Sequence, residues 1–431
     1  MVVLSLQQKL GMQVFKFGGA SVKDADAVRN VTTILNKYKG KPLVVVISAM
    51  GKSTNALEDI YQSVLENDGN ILTHIDTFTA FHNQIIDALF QLDRSWLKKR
   101  VADLFNDIIE VSCAKFEGDV DKLYDQVVSI GELTSTLIID NHLKCSGLNS
   151  IWVDARTLIK TDSNFKEGRL NWPETERLVK AQLMPNVSET NVIITQGFIA
   201  SDSKNQTTTL GREGSDYSAA ILAYCLDAQE ITIWKDVSGV LNADPRKFEN
   251  AVKLDEVSFH EAIELAYYGA SVIHPRTIQP LQRKEIKMWV KSFVDPDAIG
   301  TMISQDAVTN KDIPSYINQK GQWLISIATR DFSFIVEEHL SQIFNTFSKH
   351  KVKIDIMQNS AVNFTVAVHN TESRLLGLID ELSHTFNVKY NTDAELITIR
   401  HYNENIIEQL KDNREVFMEQ RTRETYRVLL G

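Results

Sequence analysis

Cysteine is scarce in this chain, with Cys113, Cys145 and Cys225 the only three among 431 residues. An odd, widely spaced set fits neither a disulfide framework nor a zinc site and reads as the reduced thiols of a cytoplasmic protein. No apolar run approaches the roughly 18 residues a membrane-spanning helix needs. The first ten residues lack a basic start followed by a small-residue cleavage site, so no secretory leader is expected. Positive charge is also in short supply, with 46 Lys and Arg against 56 Asp and Glu and a net charge of −10. That balance argues against nucleic acid or an anionic membrane as partner, while a local basic pocket stays open. The glycine-rich turns lack the Walker spacing, in which lysine follows the glycines.

What is present is ordinary for a large globular enzyme: 43% hydrophobic and 24% charged residues. The length suggests two or three domains. Residues 12–50 read strand, helix, strand, over Val14–Phe17, Asp24–Tyr38 and the continuous apolar run Leu43–Ile47, which suits a buried parallel strand. From 53 to about 127 the pattern is helical, with few prolines or glycines. Strands return at Ser150–Val153, Val192–Thr195, Ile231–Trp234 and Ile286–Val290, an alternation that points to a mostly parallel sheet covered on both faces. Asp295 to Thr301 reads as a closing loop. The last third alternates differently: Trp323, Ile325 and Ile327, then a helical spacing from Val336 to Phe347, then Val352–Ile356 and Phe364–Val368. With a helix near 372–384 and a strand at 386–390 this makes a ferredoxin-like βαββαβ unit, and a shorter second unit follows.

Two segments carry chemistry. Thr207-Thr-Thr-Leu-Gly-Arg-Glu-Gly-Ser-Asp-Tyr-Ser-Ala-Ala220 is a β-branched run, a glycine turn and an apolar helix start. Ser215 and Asp216 stand where short polar side chains cap a helix. Gly211 and Gly214 let backbone approach a ligand, and Arg212 offers a planar fork for carboxylate or phosphate. Val14-Phe-Lys-Phe-Gly-Gly-Ala-Ser-Val22 ends a strand in two glycines and a hydroxyl, with Lys16 able to reach a phosphate held by Gly18, Gly19 and Ser21.

These segments, with Val-Ile-Ser-Ala-Met-Gly at 46–51, Ser-Ile-Gly-Glu at 129–132 and Thr-Gln-Gly-Phe at 195–198, resemble the amino-acid kinase superfamily and within it aspartate kinases. Lys-Asp-Val-Ser-Gly-Val at 235–240, Ala-Asp-Pro-Arg at 243–246 and Val-Ile-His-Pro at 272–275 extend the match in order and spacing. The resemblance implies an amino-acid-kinase α/β fold over 12–304, with a helical insertion at about 53–127, leaving 1–11 as a short extension or a misassigned start. It implies a pair of regulatory ACT domains over 305–431, the first at about 320–390 and the second at about 391–431, able to recruit 300–318. It also implies ATP and Mg²⁺ as cofactors, L-aspartate as substrate, and a homodimer or higher oligomer through the ACT domains. Phosphorylating a carboxylate needs no general base, because the nucleophile is already ionised near pH 7. It needs cations and glycine loops that steady the transferring group.

By resemblance, Lys16 and Asp216 are catalytic. Arg212 takes the substrate α-carboxylate and Glu132 its ammonium, with Ser48, Thr54 and Ser215 completing the pocket. Gly18, Gly19, Ser21, Lys235, Asp236, Val237, Gly239, Asp244 and Arg246 border the nucleotide, and no protein ligand set for a metal is assigned. The plain structural alternatives are a snorkelling strand lysine for Lys16, a helix-start carboxylate for Glu132, a helix cap for Asp216 and an Asp-Pro turn at 244–246. His274 reads as structural, an extended residue before Pro275.

Three departures from the family pattern stand out. Ala20 replaces Thr; Glu213 replaces a glycine and is expected to point away from the nucleotide; Ser271 replaces a phosphate-facing lysine, with Lys235 or Arg276 as substitutes. In the ACT region Asp355 and Ser360 resemble residues that hold lysine in sensitive relatives, while Ala361 stands in place of a glutamate, so lysine inhibition should be weak or give way to threonine. A kinase for glutamate or N-acetylglutamate and a non-catalytic amino-acid sensor are the rival readings. No dinucleotide-binding unit follows, so a fused homoserine dehydrogenase is not expected.

Overall fold

The computed structural model describes residues 11–431 except 113–115, 249, 271–272, 309–310, 332 and 412–413. Ser271 and Cys113 therefore lie outside the described residues. The chain divides into two compact units: one of residues up to 240 with 253–263 and 272–309, the other of 241–252, 264–271 and 310–431. Segments 241–252 and 264–271, expected with the first domain, thus group with the second.

In chain order the elements up to residue 304 are β1 (Gln13–Phe17), α1 (Ala25–Lys37), β2 (Leu43–Ile47), α2 (Ser53–Glu66), α3 (Ile71–Leu89), α4 (Ser95–Asp103), α5 (Asn106–Ser112), α6 (Val120–Cys145), β3 (Asn149–Val153), α7 (Ala155–Leu158) and α8 (Trp172–Leu183). They continue with β4 (Asn191–Gln196), β5 (Ile199–Ser201), β6 (Thr207–Thr209), α9 (Gly214–Cys225), β7 (Glu230–Lys235), β8 (Glu256–Ser258), α10 (Phe259–Tyr267), α11 (Pro275–Arg283), β9 (Lys287–Ser292) and β10 (Thr301–Ser304).

Eight strands form one sheet in the order β3-β4-β2-β1-β7-β9-β10-β8. Strands β3 to β9 in that order run parallel, whereas β10 is antiparallel to β9. The segment read as a closing loop therefore ends in a strand, Thr301–Ser304, paired to Val290–Met288. From β1 the chain winds outward through β2, then returns to β7 on the other side of β1. This reversal makes a crevice at the carboxyl ends of β1 and β7, where open α/β sheets bind ligands. Beneath it Phe15 and Phe17 pack with Trp234, the Phe17 and Trp234 rings stacked at 5.8 Å. Side chains from α1, α3 and α6, including Val28, Ile86 and Ile138, close the same core.

The helical stretch expected to end near 127 runs on, because α6 is a single 26-residue helix to Cys145. Its apolar positions recur through the Ser-Ile-Gly-Glu segment, so nothing stops it there.

In the second unit β11 (Ser315–Ala328), α12 (Glu337–Lys349), β12 (Ile354–Asn359), β13 (Asn363–Val368), α13 (Glu372–Ser383), β14 (Asn387–Arg400), α14 (Glu404–Lys411), β15 (Val416–Arg421) and β16 (Thr425–Leu430) follow. Six of them form an antiparallel sheet in the order β12-β13-β11-β14-β16-β15. Strands β11 and β14 are long enough to serve both ferredoxin-like units. Ile325 to Ala328 pairs with Tyr390 to Asn387, and Ser315 to Gln319 pairs with Arg400 to Leu396, with register shifts between the two stretches.

Candidate active site

Lys16 is the penultimate residue of β1 and lies beside Ile233 of β7, so its side chain leaves the sheet at the crevice. Asp216 is in the first turn of α9. Its carboxylate meets the Lys16 ammonium at 2.6 Å and that of Lys235, the last residue of β7, at 3.6 Å. Burial alone would favour the neutral acid, but the two ammonium groups outweigh it and hold the Asp216 carboxyl below the ordinary carboxylate range. Asp216 does not cap its helix, contrary to the expectation for it and Ser215. The N-cap is Glu213, in left-handed backbone at φ 53°, with no side-chain cap bond. The short turn after β1 brings Gly19 against the loop after β2, where a Cβ would sit 2.9 Å from the carbonyls of Ala49 and Gly51.

A cavity of about 740 Å³ opens here. It is lined by the expected Lys16, Gly19, Ser48, Thr54, Glu132, Arg212, Ser215, Asp216 and Lys235. Glu132 is thirteen residues into α6, so the helix-start alternative for it fails. Gly131 beside it admits Ala49, whose Cβ a side chain at 131 would meet at 2.9 Å, and the Ala49 N–H donates to Glu132 Oε1 at 3.3 Å. Glu132 Oε2 is buried with no hydrogen-bond partner. Desolvation pushes this carboxyl up to about 8 against the pull of the Ala49 N–H and Lys16.

Other expected residues lie elsewhere. Gly18 and Ser21 shape the turn, with the Ser21 N–H donating to the Gly18 carbonyl at 2.9 Å, but do not line the cavity. Asp236 and Val237 are exposed beyond β7, and Gly239 packs on Thr301. Arg246 grips Asp244 through two side-chain bonds of 3.0 and 2.9 Å, the Asp-Pro turn alternative. Asp355 is the second residue of β12 and Ser360 lies just past its last, five residues on and so roughly 16 Å along the chain direction. Asp355 Oδ2 accepts from Gln322 at 3.2 Å, and Ser360 closes the β12–β13 hairpin against Asn363 at 2.8 Å.

Of the two substitutes for the cation missing at 271, Lys235 reaches the cavity. Arg276 instead donates to the Leu210 carbonyl at 3.1 Å and covers the Tyr217 ring. His274 is extended and caps α11 by accepting the Arg276 N–H at 3.2 Å. Glu213, in left-handed backbone, lines the cavity rather than pointing away from it.

The sequence model of the amino acid kinase family matches residues 11–292. Over 394 residues the chain is also 30% identical to lysine-sensitive aspartokinase 3 of Escherichia coli, an alignment covering 90% of this chain and 86% of that one. The chain belongs to the aspartokinases of the amino acid kinase family. It is 29% identical over 400 residues to the bifunctional aspartokinase/homoserine dehydrogenase of Buchnera aphidicola, of whose length it spans 48%. Two crystal structures of E. coli aspartokinase III, one with lysine and aspartate and one with aspartate and ADP, superpose with a TM-score of 0.81. Identity there is 28%, with 97% of this chain and 96% of that chain covered.

This aspartokinase has cavity residues that its motifs did not announce: Tyr124, Lys166, Glu167, Phe198 and Thr209. Phe198 and Thr209 sit inside quoted segments and could have been named from them. Lys166 and Glu167 belong to a loop with no compositional signal. No described helix is long and apolar enough to cross a membrane.

Proposed function

We infer that this protein transfers the γ-phosphoryl group of ATP to the side-chain carboxylate of L-aspartate, giving 4-phospho-L-aspartate and opening lysine, threonine and methionine synthesis. The reading is carried by the buried Asp216 carboxylate shared by Lys16 and Lys235 in a cavity that also presents Arg212 and Glu132. Two cations side by side suit a nucleotide phosphate chain, and a carboxylate between them fixes their spacing before substrate arrives. Arg212 grips the α-carboxylate in a two-point pair and Glu132 takes the ammonium, so the side-chain carboxylate is left free to meet the γ-phosphoryl group near Lys16. Ser48, Thr54 and Ser215 border the substrate. Gly18, Gly19 and the backbone after β7 border the nucleotide.

Mg²⁺ reaches such sites on the nucleotide phosphates, whose charge it neutralises, and needs few protein ligands. Glu213 is suited to hold it, since its Oε2 is buried in the cavity wall without a hydrogen-bond partner. The region 12–304 is the catalytic part and 305–431 the regulatory pair of ACT units, through which the chain forms a homodimer.

Trapping of the acyl phosphate as a hydroxamate, with ADP release measured for L-aspartate, L-glutamate and N-acetyl-L-glutamate side by side, tests this. Turnover of L-aspartate is expected; turnover of glutamate alone would overturn the substrate, and turnover of none by folded protein would favour a sensor. In the same assay Arg212→Lys should raise KM for aspartate roughly ten- to a hundredfold, because lysine keeps the charge but not the planar fork. An unchanged KM would remove Arg212 from the α-carboxylate.

Glu132 gives the aspartate affinity a pH dependence. With its carboxyl pushed up to about 8, most free protein at pH 6 carries a proton there that an incoming ammonium must displace. KM for aspartate should therefore fall as pH rises from 6 to 8, by up to about tenfold per pH unit. Glu132→Gln should flatten that slope; a slope persisting in this variant would assign the titration to another group.

For regulation, the missing counter-charge at Ala361 weakens any cationic ligand by about 1–3 kcal/mol. Asp355 already accepts from Gln322, and its carbonyl from Arg427 at 2.7 Å. Lysine is expected to inhibit weakly and threonine more strongly. Calorimetry and steady-state inhibition with both decide this, and tight lysine inhibition lost in Asp355→Ala would reverse it.

A further inference from the structure

Asp125 carries a buried carboxylate apart from the Lys16–Asp216–Lys235 cluster. It lies in α6 with no exposed surface. Its Oδ2 accepts the backbone N–H groups of Lys166 and Thr209, both at 2.9 Å, and its Oδ1 accepts the Thr209 hydroxyl at 2.8 Å. Burial pushes the carboxyl up to about 6, with the bonds from Lys166 and Thr209 pulling the other way. A group that costly to bury persists where its hydrogen bonds fix something.

What they fix is two segments that line the cavity. The 162–168 loop brings Lys166 and Glu167 to it, and β6 brings Thr209, three residues before Arg212. The two segments also touch directly, Gly168 N–H donating to the Thr209 carbonyl at 2.8 Å. Lys166 has φ 66°, a left-handed conformation that a lysine adopts only when its surroundings impose it. The Asp125 bond to its N–H is one such constraint. Its ammonium supplies two more, 2.7 Å from Asp121 and 4.6 Å from the Tyr124 ring centre. Asp121, Tyr124 and Asp125 are spaced to share one face of α6, and Glu132, seven residues on from Asp125, continues that face.

We propose that Asp125 is a positioning residue: its carboxylate clamps the 162–168 loop to β6 and so sets one wall of the aspartate pocket. The inference rests on the functional reading above. It assigns to Asp125 the affinity for aspartate and not the transfer step, since it touches neither Lys16 nor Asp216.

Asparagine discriminates a clamp from a need for charge. In the same rotamer its amide oxygen accepts both N–H groups, and its amide nitrogen donates to Thr209 Oγ1 once that hydroxyl rotates. Asp125→Ala deletes all three bonds, and Thr209→Val deletes one. Steady-state kinetics of the full chain should show Asp125→Ala raising KM for aspartate roughly ten- to a hundredfold, the scale of a wall displaced by about 1 Å, with kcat and KM for ATP within about threefold of the parent. Thr209→Val should fall between, and Asp125→Asn should stay near the parent. Amide hydrogen exchange without substrate should show residues 162–168 and 205–212 losing protection together in Asp125→Ala and keeping it in Asp125→Asn. An unchanged aspartate KM in Asp125→Ala overturns the proposal, as does an equal loss of all three kinetic parameters that asparagine does not restore. If Asp125→Ala fails to fold, Asp125→Asn and Thr209→Val carry the test. If the parent turns over no aspartate, the functional reading fails, and exchange alone decides whether the clamp exists.

Discussion

Lys16→Ala is expected to lower kcat by roughly two to three orders of magnitude, the scale of deleting one preorganised contact to a transition state. The lysine is positioned from both ends. Its backbone is locked in the sheet between β2 and β7, and its ammonium is 2.6 Å from a carboxylate that is almost wholly buried. A group so fixed costs no reorganisation when charge spreads over the γ-phosphoryl oxygens. Single-turnover phosphorylation of aspartate, with melting temperature as a control for folding, checks this. A near-normal rate constant would return Lys16 to the role of a strand lysine that merely pairs with Asp216.

Asp216→Asn should be as damaging, for the opposite reason. It keeps the shape and removes the charge that holds two ammonium groups together, leaving Lys16 and Lys235 to repel at short range. Removing one member of a buried pair typically costs about 3–5 kcal/mol, so a fall in melting temperature is expected along with a loss of at least roughly a hundredfold in kcat. Affinity for ATP should move the other way, held or tightened, because the site gains net positive charge toward a polyanion. Nucleotide affinity falling in step with kcat would mean that Asp216 serves the fold rather than the reaction.

Much of this was legible in the sequence, for physical reasons. Leu43–Ile47 is apolar throughout because parallel strands are buried on both faces, and it is a strand over those residues. The glycine turns at 18–19 and 211–214 announce close backbone approach, and lysine, arginine and acid beside them announce handling of anions. The sequence could not show which way a side chain is turned. Ser215 and Asp216 sit where caps sit, yet the N-cap is the left-handed Glu213, and Asp216, in the first turn, meets two lysines instead. Lys166 is invisible for a related reason, since a left-handed lysine has no compositional mark and its constraints come from Asp121, Tyr124 and Asp125, the last 41 residues away. The fusion of two ferredoxin-like units into one sheet was hidden because β11 and β14 stay paired with each other through both units, with only register shifts between the two stretches, behind alternation that looks uniform.

The strand order also bears on how the chain is made. β1 is an inner strand, but its two neighbours are synthesised at very different times: β2 within some thirty residues and β7 roughly two hundred residues after it, a separation typical of slow, non-local pairing. Until β7 is synthesised, any sheet formed from β3-β4-β2-β1 would leave β1 with one unpaired apolar edge along Val14, Phe15 and Phe17. That edge is a template for aggregation. Lys16, the penultimate residue of β1, is the one charge on that strand, and a charge on an open edge discourages a stray strand, so the residue that pairs with Asp216 in the folded protein would also blunt the edge before folding is complete.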